Sequence, residues 1–91
     1  MALKWTSKAL ADLACLYEFL APVNHPTAAR LVQALTKAQT RLLTNPRIGE
    51  QLFQFEPREV RRILVGDYEI RYELIGETIY VLRLWHTRED R

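Results

Sequence analysis

A chain of 91 residues holds one domain, residues 1–91, and its 48% apolar content, with two Trp, four Tyr and three Phe, suffices for a single core. One cysteine, Cys15, excludes an internal disulfide, and no Cys or His stands at metal-ligand spacing. The net charge is only +2, but it is unevenly laid down: seven arginines fall between Arg58 and Arg91, and no lysine follows Lys37.

In chain order, Leu3 and Trp5 form a short apolar entry. Thr6 or Ser7 then caps a helix in which Leu10, Leu13, Leu16, Tyr17 and Leu20 recur at helical spacing, ending near Pro22. Cys15 within this pattern reads as a buried structural thiol. Asn24-His25-Pro26 restarts the chain, with His25 a helix-start residue, and Ala28, Leu31, Leu35, Ala38 and Leu42 mark the apolar stripe of a second helix that stops before Asn45-Pro46. The short link from Ala21 to His25 makes the two helices an antiparallel hairpin whose apolar face needs a sheet to cover it. Residues 46–57, with two Pro and a Gly, read as a long loop in which Leu52, Phe53 and Phe55 tuck against the fold.

From Arg58 onward the pattern is that of strands. Tyr68, Ile70, Tyr72 and Leu74 alternate towards the helices, and a two-residue turn at Gly66-Asp67 puts Arg61, Ile63 and Val65 on the same face, with Arg62 outward beside Arg71. For the last strand, a three-residue loop at Ile75-Gly76-Glu77 keeps Arg83 out of the core. It buries Tyr80, Leu82 and Leu84 and sets Arg83 opposite Glu69. The fold expected is α+β: a short N-terminal strand, then an antiparallel helical hairpin packed on a C-terminal antiparallel sheet, β-α-α-β-β-β.

No Gly-rich phosphate loop, carboxylate pair or Ser/His/Asp set occurs, and no cofactor or metal is expected. The strongest constellation is basic: Arg58, Arg61 and Arg62, then Arg71, then Arg83, His86 and Arg88. Guanidiniums bind phosphate or carboxylate, and a histidine can move a proton. The structural alternative pairs Arg71 and Arg83 with Glu69 and Glu73, leaves Arg88 in a solvated tail, and makes His86 a satisfied structural residue. Trp5 and Trp85 read as core or core-edge residues rather than base-stacking platforms. The start of the chain lacks a signal-peptide pattern and no apolar stretch reaches membrane-spanning length, so a cytoplasmic protein without membrane contact is expected.

The succession W-T-x-x-A-x-x-D-L (Trp5 to Leu13), N-P-R-I-G-E (Asn45 to Glu50), P-R-E-V-R-R (Pro57 to Arg62), Y-E-I-R-Y (Tyr68 to Tyr72) and V-L-R-L-W-H-T-R (Val81 to Arg88) resembles the RelE/ParE toxin superfamily over nearly the whole chain. The resemblance implies a bacterial toxin of a type II toxin–antitoxin system, neutralised by a cognate ParD-like antitoxin that folds across an exposed apolar groove and alone carries operator DNA binding. RelE-type members cleave messenger RNA on the ribosome. Here Glu69 occupies the position of their third-strand Arg, and no Tyr follows Tyr80, although Arg62, His86 and Arg88 fall near basic positions of that pattern. The resemblance therefore implies the ParE-like activity, inhibition of DNA gyrase without catalytic residues. Arg58, Arg61, Arg62, Arg83, His86 and Arg88 are the expected target-binding residues. If the chain were instead a ribosome-dependent nuclease, Arg62, His86 and Arg88 would carry catalysis. A third possibility is a toxin fold that keeps only antitoxin binding.

Overall fold

A computed structural model describes residues 1–20 and 25–87. The expected helix end at Pro22, the link from Ala21 to Asn24, and Arg88 lie outside the described residues. The chain runs β1 (Ala2–Trp5), α1 (Ser7–Leu20), α2 (His25–Thr44), β2 (Glu50–Gln51), a 3-10 helix (Phe53–Phe55), β3 (Glu59–Val65), β4 (Tyr68–Ile75) and β5 (Thr78–His86). All five strands form one sheet in the order β1-β5-β4-β3-β2; β1 runs parallel to β5 and the other pairs are antiparallel. The expected β-α-α-β-β-β order is present, with β2 as an additional two-residue strand inside the loop that precedes β3.

Thr6 is the residue that starts α1. Its hydroxyl accepts the Ala9 N–H at 3.2 Å, as an N-cap does, and donates to the Val81 carbonyl at 2.8 Å, so one side chain caps the helix and ties it to β5. Every residue of the expected α2 stripe, Ala28, Leu31, Leu35, Ala38 and Leu42, is buried. The face of α1 is rotated from its expected position. Ala9 is fully buried and Leu13 and Leu16 pack against the core, whereas Leu10 and Tyr17 are 52% and 44% exposed. Helical spacing admits either stripe, and the one carrying the small Ala9 lets α1 approach the sheet most closely. Cys15, expected to be buried, is exposed, because it lies on the opposite side of the helix from that stripe.

On the sheet, Tyr68, Ile70, Tyr72 and Leu74 face the helices as expected, and Ile63 and Val65 join them; the core also takes in Ile79, Val81 and Leu84 of β5. Removing each of Leu31, Leu42, Ile79 and Leu84 from water contributes roughly 1.5–3 kcal/mol. The turn at Gly66-Asp67 has two residues, with Gly66 at φ 58°, a value that favours glycine.

The β4–β5 connection differs from the expected one. Ile75 pairs directly with Thr78, so the turn is also two residues long, with Gly76 at φ 60°. The register then slips between Arg71 and Tyr72: Arg83 faces Arg71, but Val81 faces Tyr72, leaving Leu82 as an extra residue on β5. This β-bulge keeps Arg83 out of the core, as the longer loop was expected to do, but the buried set of β5 differs from the expected Tyr80, Leu82 and Leu84. It buries Ile79 and Val81 before the slip and Leu84 after it, while Tyr80 and Leu82 are only half-buried. Arg83 is consequently not opposite Glu69, whose partner on β5 is Trp85.

Candidate functional site

The strand arginines are fixed one by one in ion pairs, and these pairs distribute them over both faces of the sheet. Arg58, just before β3, donates to both oxygens of Glu73 at 2.7 and 2.9 Å. That hydrogen bond, opposed in part by burial, holds the Glu73 carboxyl below the usual carboxylate range and raises the Arg58 guanidinium. Arg61 points to the helix side of β3 but reaches the loop, donating to the Gly49 carbonyl at 2.8 Å and to Glu59 at 3.0 Å. Burial pushes the Glu59 carboxyl up, and the hydrogen bonds from Arg47 and Arg61 outweigh it, leaving the group lowered. Arg62, outward as expected, binds Glu50 at 2.8 Å and Glu69 at 3.2 Å.

Arg83 leaves the outer row entirely. The bulge at Leu82 turns its guanidinium to Asp12 of α1, where it donates at 2.7 and 3.2 Å, and the Leu84 N–H donates to the same carboxylate at 3.0 Å. Asp12 belongs to the first motif of the chain, and its role had no signal in local spacing because its partner lies 71 residues away. His86 stands opposite Tyr68 on the helix side, its ring edge-on to the tyrosine at 5.3 Å between centroids. Arg62 and His86 therefore occupy opposite faces of the sheet, and Arg88 lies outside the described residues. Of the five expected target-binding residues that are described, Arg58 and Arg62 share the outer face and the other three do not.

Arg71 is the exception. It sits in the middle of the outer row, between Arg62 and Arg83 in register, with its guanidinium 5.2 Å from the Phe55 ring centroid and 5.0 Å from that of Trp85. No carboxylate reaches it among the described residues, and its Nε is buried without a hydrogen-bond partner.

The long loop before β3 supplies one of those rings. It is latched from below by Tyr72, whose hydroxyl donates to the Pro46 carbonyl at 2.8 Å and accepts the Gly49 N–H at 3.0 Å. Burial pushes the Tyr72 phenol up, so the hydroxyl keeps its proton for this latch at physiological pH. A Cβ on Gly49 would meet the Arg62 carbonyl at 2.5 Å and the Tyr72 hydroxyl at 2.6 Å, which explains the glycine of N-P-R-I-G-E. Leu52 N–H then joins the Val60 carbonyl at 2.8 Å, and Phe55 arrives over the sheet. Val60 and Trp85 are buried on this outer face, outside the main core cluster.

On the helix side, a cleft of about 250 Å³ is lined by Trp5 of β1, Leu10 and Leu13 of α1, and Val32, Leu35, Thr36 and Gln39 of α2. Leu10 and Val32 are 52% and 48% exposed at its mouth. Its lining is apolar apart from Thr36 and Gln39, the composition that receives an amphipathic segment rather than a charged small molecule. Among the described residues no group of three or more His, Cys, Asp or Glu is placed to hold a metal ion, and no helix is long and apolar enough to cross a membrane.

Comparison with known proteins meets this geometry from outside. The sequence model of one family, "ParE toxin of type II toxin-antitoxin system, parDE", matches residues 3–91. A solved chain described as "Chromosomal ParDE TA system from P. aeruginosa" superposes with a TM-score of 0.74 at 27% identity, over 94% of this chain and 95% of that one. No curated protein matches the chain in sequence.

Proposed function

Because the chain belongs to the ParE toxin family of type II toxin–antitoxin systems, we propose that it arrests bacterial cells by inhibiting DNA gyrase and is neutralised by a cognate ParD-like antitoxin. The observation that carries this reading over the ribosome-dependent nuclease is the separation of Arg62 and His86. General acid–base cleavage of a phosphodiester needs its proton-transfer group and its charge-stabilising group around one phosphate. Here they stand on opposite faces of the sheet, and Glu69 binds Arg62 where a phosphate would have to lie. An inhibitor needs a surface, and the outer face with Arg58, Arg62 and Arg71 is that surface. Arg61 and Arg83 support it from behind, by holding the loop and α1.

The antitoxin takes the other side. An amphipathic helix laid in the cleft between α1 and α2 would bury Leu10, Leu13 and Val32, of which Leu10 and Val32 stand exposed at its mouth. In this arrangement operator DNA is reached only through the antitoxin, and the toxin works in the bacterial cytoplasm. Val32→Glu, placed at the exposed mouth of the cleft, leaves the fold intact and weakens antitoxin binding at least tenfold in calorimetric titration.

The deciding experiment titrates the purified toxin into a gyrase supercoiling assay, with ribosome-dependent messenger RNA cleavage run on the same preparation. Loss of supercoiling with intact RNA is the expected result. RNA cut only on ribosomes would overturn the reading in favour of the nuclease. Inactivity in both would leave a protein that keeps antitoxin binding alone.

A further inference from the structure

We propose that Arg71 is a recognition residue whose stacked guanidinium receives a carboxylate from an acidic side chain of a protein partner. The inference rests on the reading that the chain acts by binding proteins through its outer face.

Five arginines of the strand region, Arg47, Arg58, Arg61, Arg62 and Arg83, have a carboxylate partner within the fold. Arg71 has none among the described residues, although Glu69 and Glu73 lie two residues to either side on the same face. Those glutamates are turned to Arg62 and Arg58. What holds Arg71 instead is a pair of aromatic surfaces, Phe55 from the loop and Trp85 from β5. Two cation–π contacts restrain the guanidinium without using its terminal N–H donors, which an anion can then engage. The buried, unpartnered Nε marks the cost of that arrangement: a donor desolvated with nothing in return inside the fold.

The class of anion follows from the surrounding charge. Around Arg71 on the outer face, Arg58, Arg62 and Arg71 are matched in number by Glu50, Glu69 and Glu73, so its immediate surroundings carry no net charge. A nucleic-acid backbone binds where several uncompensated cations track successive phosphates, which this face lacks. A single monoanion in the plane of a pre-oriented guanidinium is a complete match, and a carboxylate meets the fork with two parallel hydrogen bonds. The loop latch of Tyr72 and Gly49 thereby acquires a purpose, since it carries Phe55 to the position from which it orients Arg71.

The test follows the arginine side-chain Nε–H resonances of the full-length protein by NMR. Sodium acetate, inorganic phosphate and a ten-residue oligothymidylate are the probes, at matched ionic strength. The expected result is a saturable shift of the Arg71 resonance with acetate, at least twice that produced by phosphate, with the resonances of Arg58 and Arg62 unmoved. Arg71→Met abolishes the response and keeps or raises the Tm, because it replaces an unpaired, half-buried cation by an apolar chain of similar length. Arg71→Lys keeps the charge but loses the in-plane fork, and the response falls at least fivefold. A response confined to phosphate or oligothymidylate would overturn the proposal in favour of nucleic-acid contact. No saturable response, together with a Tm drop of several degrees in Arg71→Met, would make Arg71 a packing element only. Because no gyrase is present, a protein that binds acetate but leaves supercoiling untouched would sink the proposed target and not this site.

Discussion

Tyr72 shows how a single phenol can govern a surface on the far side of the sheet. It is fully buried on the helix side, yet its hydroxyl closes two hydrogen bonds to the loop that continues around the sheet edge to Phe55. Tyr72→Phe leaves the Gly49 N–H and the Pro46 carbonyl without that partner and is expected to cost about 1–3 kcal/mol in urea unfolding. The same variant should weaken the acetate response of Arg71, since Phe55 is no longer held in place. At this scale residue identity was readable but partnership was not. Arg61, Arg62 and Arg71 stand on the faces that alternation assigns them, whereas Asp12 and Gly49, which fix Arg83 and the loop, have no local pattern. Their partners are distant in sequence, and only closure of the fold brings them together.

Among the elements, β5 shows how a period-2 argument can keep one residue, Arg83, out of the core and still assign the buried face wrongly at Tyr80 and Leu82. Alternation along Thr78–His86 buries Arg83 unless the phase shifts by one residue, and a longer turn is one way to make that shift. The chain makes the shift in mid-strand at Leu82 and keeps a tight turn. A bulge interrupts the ladder, and the Leu84 N–H finds its acceptor in Asp12. Asp12→Ala is therefore expected to destabilise by about 1–3 kcal/mol, through the orphaned N–H and the released Arg83. Asp12→Asn, which retains an acceptor, should cost less; urea midpoints of the two variants provide the check. The helices were legible down to the α2 stripe, because 20 residues sample the period several times. The two-residue β2 and the docking of Phe55 were not, because so short a segment carries no period at all.

For the molecule as a whole, the lowered carboxyls of Glu59 and Glu73 link stability to pH. A carboxyl lowered on folding contributes stability that is complete above its unfolded value of about 4.3 and is lost as pH falls through the lower native value. The wild-type Tm should hold from neutral pH to about pH 5 and then decline, by this linkage. Glu73→Gln lowers the Tm at pH 7 by removing the Arg58 pair, and its acid decline should be shallower, the two curves converging once the pH has fallen below the lowered native value of Glu73. Thermal scans across that range test the sign, and parallel curves would show that the Arg58–Glu73 pair is not part of the linkage. The two faces also differ in character: an apolar cleft on the helix side and an outer face whose described strand arginines, Arg71 apart, are held in ion pairs.

The parallel pairing of β1 with β5 ties the fold to the order in which the chain is made. Synthesis delivers the N-terminal strand first and β5 last, yet β5 lies in the sheet between β1 and β4. Until Thr78–His86 has left the ribosome, β1 has no neighbour and α1 has neither the Val81 carbonyl nor the Leu84 N–H to bind. A nascent toxin is thus an open chain, and a product cut short before residue 78 lacks an interior strand rather than an ornament at one edge. Closure of the sheet therefore waits on the strand that is made after all the others, and the cap of the first helix waits with it.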